Sequence, residues 1–530
     1  MTTPVTPSSS HWDLALSPFA SILGTNHAPS TKELAELKAS LIVPKHELSR
    51  LDSEIARLQG ILDGLSSALA QIKQYIDAHQ FLMSPVRQIP PETLSEIFVW
   101  CLPSVDSDTY SVRSLDEAPL ILTTICRDWR RIAIQTPRLW TSLHIYHPLN
   151  ITAATFARRT KGVNLWLERS ASLPISISLH SRTWPPFPRP ESQTDNMHLL
   201  IRLLMTFSDK FSSLSLYIAP DDYAIFDRLS PPQGFPVLRS VELRDGNLRR
   251  GMYSGHVIEP GIISRLCSRV PLLKKFAIYH CINQGAQYVA LAQSNQWVSL
   301  TDLTLSHGGF LEGLTPAHAL RVLAQTPQLR STDLTIQMIA SSSFTESLQM
   351  VHLAFLKQMC LSFSLRNEPA PDAEGLQDIQ NGVVRMFETI HCPSLTSLSF
   401  SLSGFPISEI PFTSLPLDNL DALELDAVMS SKALYHCLAL VPSLLSLQIR
   451  DMGTKGLFLP YDTIVDIAGY NNTSTMDESV LLALSRSGAE SDGTDMPLCP
   501  KLQNFRLFPS PSQKISSAAL TTFITSRMKN

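Results

Sequence analysis

The chain has 530 residues, 17% of them charged, with 43 Lys plus Arg against 47 Asp plus Glu and a net charge of −4. A near-neutral chain offers no global basic field for nucleic acid or anionic lipid, and no apolar run reaches the ~18 residues of a membrane span. Leucine (77) and serine (64) dominate while glycine is scarce (21), which suits a repetitive, Leu-buried architecture better than a Gly-rich ligand cradle.

At ~100–200 residues per domain the length accommodates roughly three or four structural units. Residues 1–33 are rich in Pro, Ser and Thr, show no periodicity and are expected to be disordered. They lack a basic segment followed by an apolar one, so no secretory signal is expected. Thr3-Pro4, Thr6-Pro7 and Ser17-Pro18 are phosphorylation candidates, an untouched tail being the other reading. The eight cysteines are scattered, with no C-x-x-C pair and no His at zinc-finger spacing. They read as small buried apolar residues in a reducing compartment, cytoplasmic or nuclear, with no metal and no cofactor expected.

Within a coiled-coil-like helical segment at 34–83, residues 34–79 carry a heptad pattern: Leu34, Leu37, Leu41, Leu48, Leu51, Ile55, Leu58, Leu62, Leu65, Leu69, Ile72 and Ile76. Steps alternate between 3 and 4 except where Pro44 takes one slot, so these residues share one seam of a helix. Pro44 lacks an N–H and fits a helix start, so the long helix is expected to begin near Pro44 or Lys45, with a weaker one before it. Two readings stay open: a coiled coil making a homodimer through residues 45–79, or a helix folded back on its own chain or paired intramolecularly. Gly60 and Gly64 weaken the helix.

Residues 84–146 carry the most specific signal. Ile89-Pro90-Pro91-Glu92 ends one helix and opens another, on which Leu94, Ile97 and Phe98 fall at i, i+3, i+4. An insert around 103–118, with Asp106, Asp108, Asp116 and Glu117, follows. Leu122, Ile125, Cys126, Trp129 and Ile132 then share a second helical face, and Pro137-Arg138-Leu139-Trp140 closes the segment. These three ordered motifs resemble the F-box family, in particular its large expansions in mushroom-forming fungi. The segment departs from the family pattern in Ile89, where Leu is usual, and in the acidic insert.

The resemblance implies docking on the Skp-type adaptor of Skp–cullin–F-box ubiquitin ligases. Carried over by position, the docking residues are Ile89, Pro90, Pro91, Leu94, Ile97, Phe98, Ile125, Cys126, Trp129 and Trp140. The two Trp residues suit the core of a small helical trio better than a partner contact.

Residues 147–530 repeat L-x-x-L-x-L with substitutions, at Phe211, Leu238, Leu273, Leu300, Leu356, Leu395, Leu420, Leu444 and Leu502, with a degenerate copy at Leu329 where Thr332 replaces the middle apolar residue. First positions lie 24–39 residues apart, except for a last gap of 58 that is close to two periods. Runs such as 262–266, 319–323 and 433–438 are helix-like. A strand plus a helix at a period of ~20–29 residues suggests a leucine-rich-repeat-like solenoid. The family's Asn or Cys ladder position is filled only by Cys281, so the loops must satisfy their backbone differently. Positions between the Leu residues, among them Arg239, Ser240, Glu242, Lys274, Lys275, Asp302, Thr304, Ser397, Glu424 and Gln448, should face outward toward a protein partner.

The expected fold class is therefore α+β/α/β: an N-terminal coiled-coil helix, a three-helix F-box and an irregular leucine-rich-repeat-like solenoid. No phosphate loop, dinucleotide fingerprint, nucleophile elbow or H-E-x-x-H occurs, and the chain is not expected to be an enzyme. The expected role is a substrate-recognition adaptor, with an unknown protein substrate on the solenoid and neither nucleic acid nor membrane as partner. A non-ligase interaction scaffold is the alternative.

Overall fold

The structure, a computed structural model, describes residues 12–102, 114–148, 151–181, 191–245, 258–279, 285–293, 295–306, 313–338, 349–365, 373–407, 409–450, 477–485, 498–508 and 516–527. It comprises two compact units, Met1–Thr93 and Leu94–Asn530. Thr3, Thr6, Asp106, Asp108 and Cys281 lie outside the described residues, as do 486–497 of the polar insert.

The first unit is helical. After a single 3-10 turn at Leu14–Leu16, helix α1 (Thr31–Ser40) starts on a capping box: Ser30 Oγ accepts from the Glu33 N–H while the Glu33 carboxylate accepts from the Ser30 N–H. Helix α2 (Ile42–Leu82) follows after Leu41 alone. The break falls there, not at Pro44, because Pro44 has no N–H to return to the Ser40 carbonyl. Pro44 itself is the third residue of α2, where a donor is not required. All the seam residues from Leu48 to Ile76 are exposed, at 45–67%.

The second unit is mixed helix and strand. Its helical entry holds α3 (Pro91–Trp100, whose first turn belongs to the other unit), a 3-10 turn at Ile121–Thr123, α4 (Arg127–Ile134) and a 3-10 turn at Pro137–Trp140. Then strands and helices alternate: β1 (Ser142–His147), α5 (Ala153–Arg169), β2 (Ile175–Ser181), α6 (Glu191–Met205), β3 (Phe211–Ile218), α7 (Pro220–Leu229), β4 (Ser240–Asp245), α8 (Pro260–Ser268), β5 (Lys275–Tyr279), α9 (Gly285–Ala292), β6 (Asp302–Ser306), α10 (Pro316–Ala324) and β7 (Ser331–Met338). The rest is β8 (Val351–His352), β9 (Gln358–Leu365), α11 (Ala373–Glu388), β10 (Ile390–His391), β11 (Ser397–Ile407), β12 (Ala422–Met429), α12 (Ser431–Ala439), β13 (Ser446–Arg450), α13 (Glu478–Leu484), β14 (Asn504–Phe508) and α14 (Ser517–Arg527).

Twelve strands form one sheet in chain order, β1-β2-β3-β4-β5-β6-β7-β9-β11-β12-β13-β14, and every pairing is parallel. The short β8 and β10 pair separately. Residues alternate along most strands: Val241 and Leu243, Phe276 and Ile278, Leu423 and Leu425 are buried, while the residues between them are partly exposed. One face of the sheet therefore carries the core, and consecutive helices pack side by side from α5 to α11 and from α12 to α14. Helix starts follow from the sequence: Pro220, Pro260 and Pro316 open their helices, and Thr152, Thr315 and Ser430 cap theirs through side-chain oxygens.

Register is set by a backbone ladder. The carbonyl one residue after the first Leu of each repeat accepts two consecutive N–H groups of the next repeat. Arg239 O accepts from Lys274 and Lys275 (2.8 and 2.9 Å), Lys274 O from Thr301 and Asp302, and Thr301 O from Arg330 and Ser331. The series runs on through Arg330, Lys357, Thr396, Asp421 and Leu445, which serves Gln503 and Asn504. Both lone pairs of each carbonyl are thus used, and no Asn side chain is needed for this contact. Hydroxyls add to it, as Thr301 and Thr396 donate to the Lys274 and Lys357 carbonyls.

Three expectations shift. The sheet begins at Ser142, so it reaches back into the stretch assigned to the F-box. β13 pairs directly with β14, so the 58-residue gap is one long crossover carrying α13, not two periods. Thr332, the degenerate residue, still points into the core and is 2% exposed.

Candidate functional site

The helical entry of the second unit folds around a small aromatic core. Leu94 and Phe98, four residues apart on α3, are buried, and the Phe98 ring lies 4.8 Å from Trp129 on α4. Trp140 is fully buried: its Nε1 donates to the Ala133 carbonyl at 2.9 Å, its ring meets Trp166 of α5 edge-on at 4.9 Å, and Arg169 lies over its face at 4.5 Å. Arg138 pairs with Glu96 at 2.5 Å, fastening the last turn to α3. The Pro-x-Leu-Trp motif thus joins the helical entry to the first helix of the sheet.

The proposed docking residues therefore divide. Leu94, Phe98 and Trp140 are core, Trp129 is half-buried, and Ile97 and Ile125 are exposed at 42% and 56%. Ile97 lies on the flank of α3 beside the buried Leu94–Phe98 side. Ile89 is half-buried, and Pro90 and Pro91 are exposed. Leu122, Ile125, Cys126, Trp129 and Ile132 are not on one helix. Cys126 is extended and caps α4, its Sγ accepting from the Trp129 N–H at 3.4 Å, so Ile125 lies outside the helix and turns to solvent. Sequence reasoning missed Trp100, which is 86% exposed. Its signal was available, since it stands three residues beyond Ile97 and shares that flank of α3.

The face of the sheet turned from the core presents a second surface. The registers align Tyr146, His180, Tyr217, Arg244 and Tyr279 as one row across β1 to β5. Their rings touch: Tyr146–His180 at 5.7 Å, His180–Tyr217 at 4.2 Å, and the Arg244 guanidinium over Tyr279 at 3.9 Å. Glu242 holds Arg244 at 2.5 Å, and burial pushes the Tyr279 hydroxyl pKa up and that of His144 down. A cavity of about 350 Å³ opens at this end, lined by His144, Tyr146, His147, Phe156 and Arg159 among others.

The middle strands turn small side chains outward: Ser306, Thr335, Ser362 and Ser401 continue the row, and Thr304, Asp333, Cys360 and Ser399 form its neighbour. Burial raises the Asp333 carboxyl pKa and pushes the Cys360 thiol up to about 12. At the far end Glu424 pairs with Arg450 at 3.4 Å and hydrogen-bonds Gln448, and Arg450 covers Phe508 at 5.3 Å. Of the positions expected to face outward, Glu242, Thr304, Glu424 and Gln448 stand in the second of these rows and Ser240, Lys275, Asp302 and Ser397 in a third beside it, while Arg239 and Lys274 are ladder residues just before their strands. The aromatic row has no signature in the repeat: Tyr217, Arg244 and Tyr279 stand one place beyond the last apolar residue of their L-x-x-L-x-L copies, and Tyr146 and His180 precede the first copy at Phe211.

Among the described residues no group of three or more His, Cys, Asp or Glu side chains is placed to hold a metal. No helix among them is long and apolar enough to cross a membrane. Comparison with protein-family models and with curated proteins finds no match.

Proposed function

We propose that the chain is a substrate-recognition adaptor of a ubiquitin ligase of the Skp–cullin–F-box type, acting in the cytoplasm or nucleus. The helical entry docks an adaptor subunit of the Skp type, and the sheet unit, a solenoid of the leucine-rich-repeat kind, holds a protein substrate on its outward rows. The protein then contributes proximity, not bond chemistry. The observation that carries this reading is the division of apolar residues in the helical entry. Leu94, Phe98 and Trp140 fill the core, while Ile97, Trp100 and Ile125 remain exposed. Large apolar side chains left exposed beside a filled core are the usual mark of a docking surface.

The test is capture of a recombinant Skp-type adaptor by the full chain. Ile97→Ala combined with Ile125→Ala removes exposed side chains only, so folding is preserved and capture is expected to fall at least tenfold. Undiminished capture by the folded double variant defeats the mapping. Adaptor binding without cullin recruitment points instead to a scaffold working outside a ligase.

A further inference from the structure

Helix α2 carries an apolar stripe about 42 Å long, from Leu48 to Ile76 at ~1.5 Å per residue, with no described residue of its own unit covering it. In heptad terms Leu48, Ile55, Leu62, Leu69 and Ile76 take the a positions and Leu51, Leu58, Leu65 and Ile72 the d positions. Their exposure of 45–67% is what a lone helix gives to inward-facing positions before a second helix arrives. Gly60 and Gly64 fall at f and c, away from the stripe, and a Cβ on either would meet nothing within 4 Å. The flanking g positions include Ile61 and Tyr75, which widen the apolar strip.

We infer that α2 is the interface of an antiparallel homodimer. The flanking charges select both the occupant and its direction. In a parallel pair each g residue faces the e residue five positions on in the second copy. That sets Glu47 against Asp52 on both flanks and creates no opposite-charge pair, because Lys73 faces Ala68. In an antiparallel pair e meets e and g meets g. The register that stacks Leu51 on Ile76, Ile55 on Ile72, Leu58 on Leu69 and Leu62 on Leu65 of the second copy uses every inward residue from 51 to 76. It also brings Asp52 against Lys73 of the second copy, twice by symmetry, with no like charges facing. Glu47 and Glu54 are already held by Arg50 and Arg57 of the same helix through paired hydrogen bonds of 2.7–2.9 Å. The helix thus complements a reversed copy of itself, independently of what the second unit binds.

The experiment uses the full chain. Light scattering after size exclusion should give twice 58.8 kDa, and Leu62→Glu with Leu65→Glu, which sets four carboxylates at the centre, should give the monomer mass with the second unit still folded. Direction is read from a Leu51→Cys, Ile76→Cys variant oxidised gently and mapped by mass spectrometry. Within one helix these positions are ~37 Å apart, so a linked 51–76 peptide pair is intermolecular. Asp52→Lys should weaken the dimer on the order of tenfold at low salt, and Lys73→Asp added to it should restore binding. Links 51–51 and 76–76 overturn the direction. A monomer, or a mass of three or more chains, overturns the dimer.

Discussion

Removing the Trp140 side chain should unfasten the helical entry from the sheet without touching the docking surface. The indole is fully buried, so Trp140→Ala costs about 3–5 kcal/mol in lost transfer energy and residual cavity. The edge-on contact with Trp166 contributes about 0.5–1.5 kcal/mol within that figure. The Ala133 carbonyl also loses one of its donors, keeping the Thr136 N–H at 3.4 Å, which adds about 0.5–1.5 kcal/mol. The total, roughly 5 kcal/mol, is a large share of the 5–15 kcal/mol that holds typical domains folded. Trp140→Phe keeps most of the volume and the ring contact and loses the hydrogen bond, so about 2 kcal/mol is expected.

A unit of this size need not unfold in one step, so hydrogen exchange read peptide by peptide is the sharper assay. Exchange should rise in α4, α5 and the Pro137–Trp140 turn for Trp140→Ala and far less for Trp140→Phe, while peptides from β9 onward stay unchanged. Adaptor capture should survive Trp140→Phe. Native exchange in Trp140→Ala combined with lost capture would refute the reasoning and make Trp140 a contact residue.

Other positions give equally direct outcomes. Gly234 has φ +74°, and a Cβ there would run into the Arg269 carbonyl oxygen, which accepts from the Phe235 N–H at 2.8 Å, so Gly234→Ala should cost about 2–3 kcal/mol in denaturant titration. A midpoint equal to wild type would contradict the close approach. Thr332 buries a hydroxyl that has no hydrogen-bond partner among the described residues, and Thr332→Val should stabilise by about 1 kcal/mol; a fall in melting temperature would mean the hydroxyl is satisfied. Burial pushes the thiols of Cys267, Cys392 and Cys437 up to about 12, which leaves on the order of one thiolate in ten thousand at pH 8. Alkylation of the native protein should therefore mark exposed Cys101 and Cys126 and spare those three, and mass spectrometry showing the reverse would refute their placement.

The repeats were legible because a buried parallel strand needs apolar residues at alternate positions, and L-x-x-L-x-L states that in six letters. β1 and β2 were missed because Trp140 and Pro174 stand where the first Leu would be, although Leu143, Ile145, Ile177 and Leu179 keep the alternation. In the helical entry, periodicity placed Leu94 and Phe98 together correctly but could not tell a core face from a docking face, since both want apolar side chains. The cap at Cys126 could not be foreseen from a helical wheel, because a thiol is an unusual cap and Ile125 fits the wheel as well as Trp129 does. The backbone ladder carries no side-chain signature: Arg239, Lys274, Thr301 and Leu445 have nothing in common but their carbonyls.

That anonymity has a consequence for how the chain tolerates change. Each turn is pinned to the next at one carbonyl and along one strand, so the connection between them is free to vary. The passage from Met429 to Ser446 is short and that from Arg450 to Asn504 is long, yet both deliver the next strand in step. Whole crossovers can therefore be lengthened or rewritten at the rim, and single outward residues exchanged, without disturbing the turns on either side. The rungs act as a ruler indifferent to what is written between its marks, so new recognition surfaces can arise on this scaffold with the frame left intact.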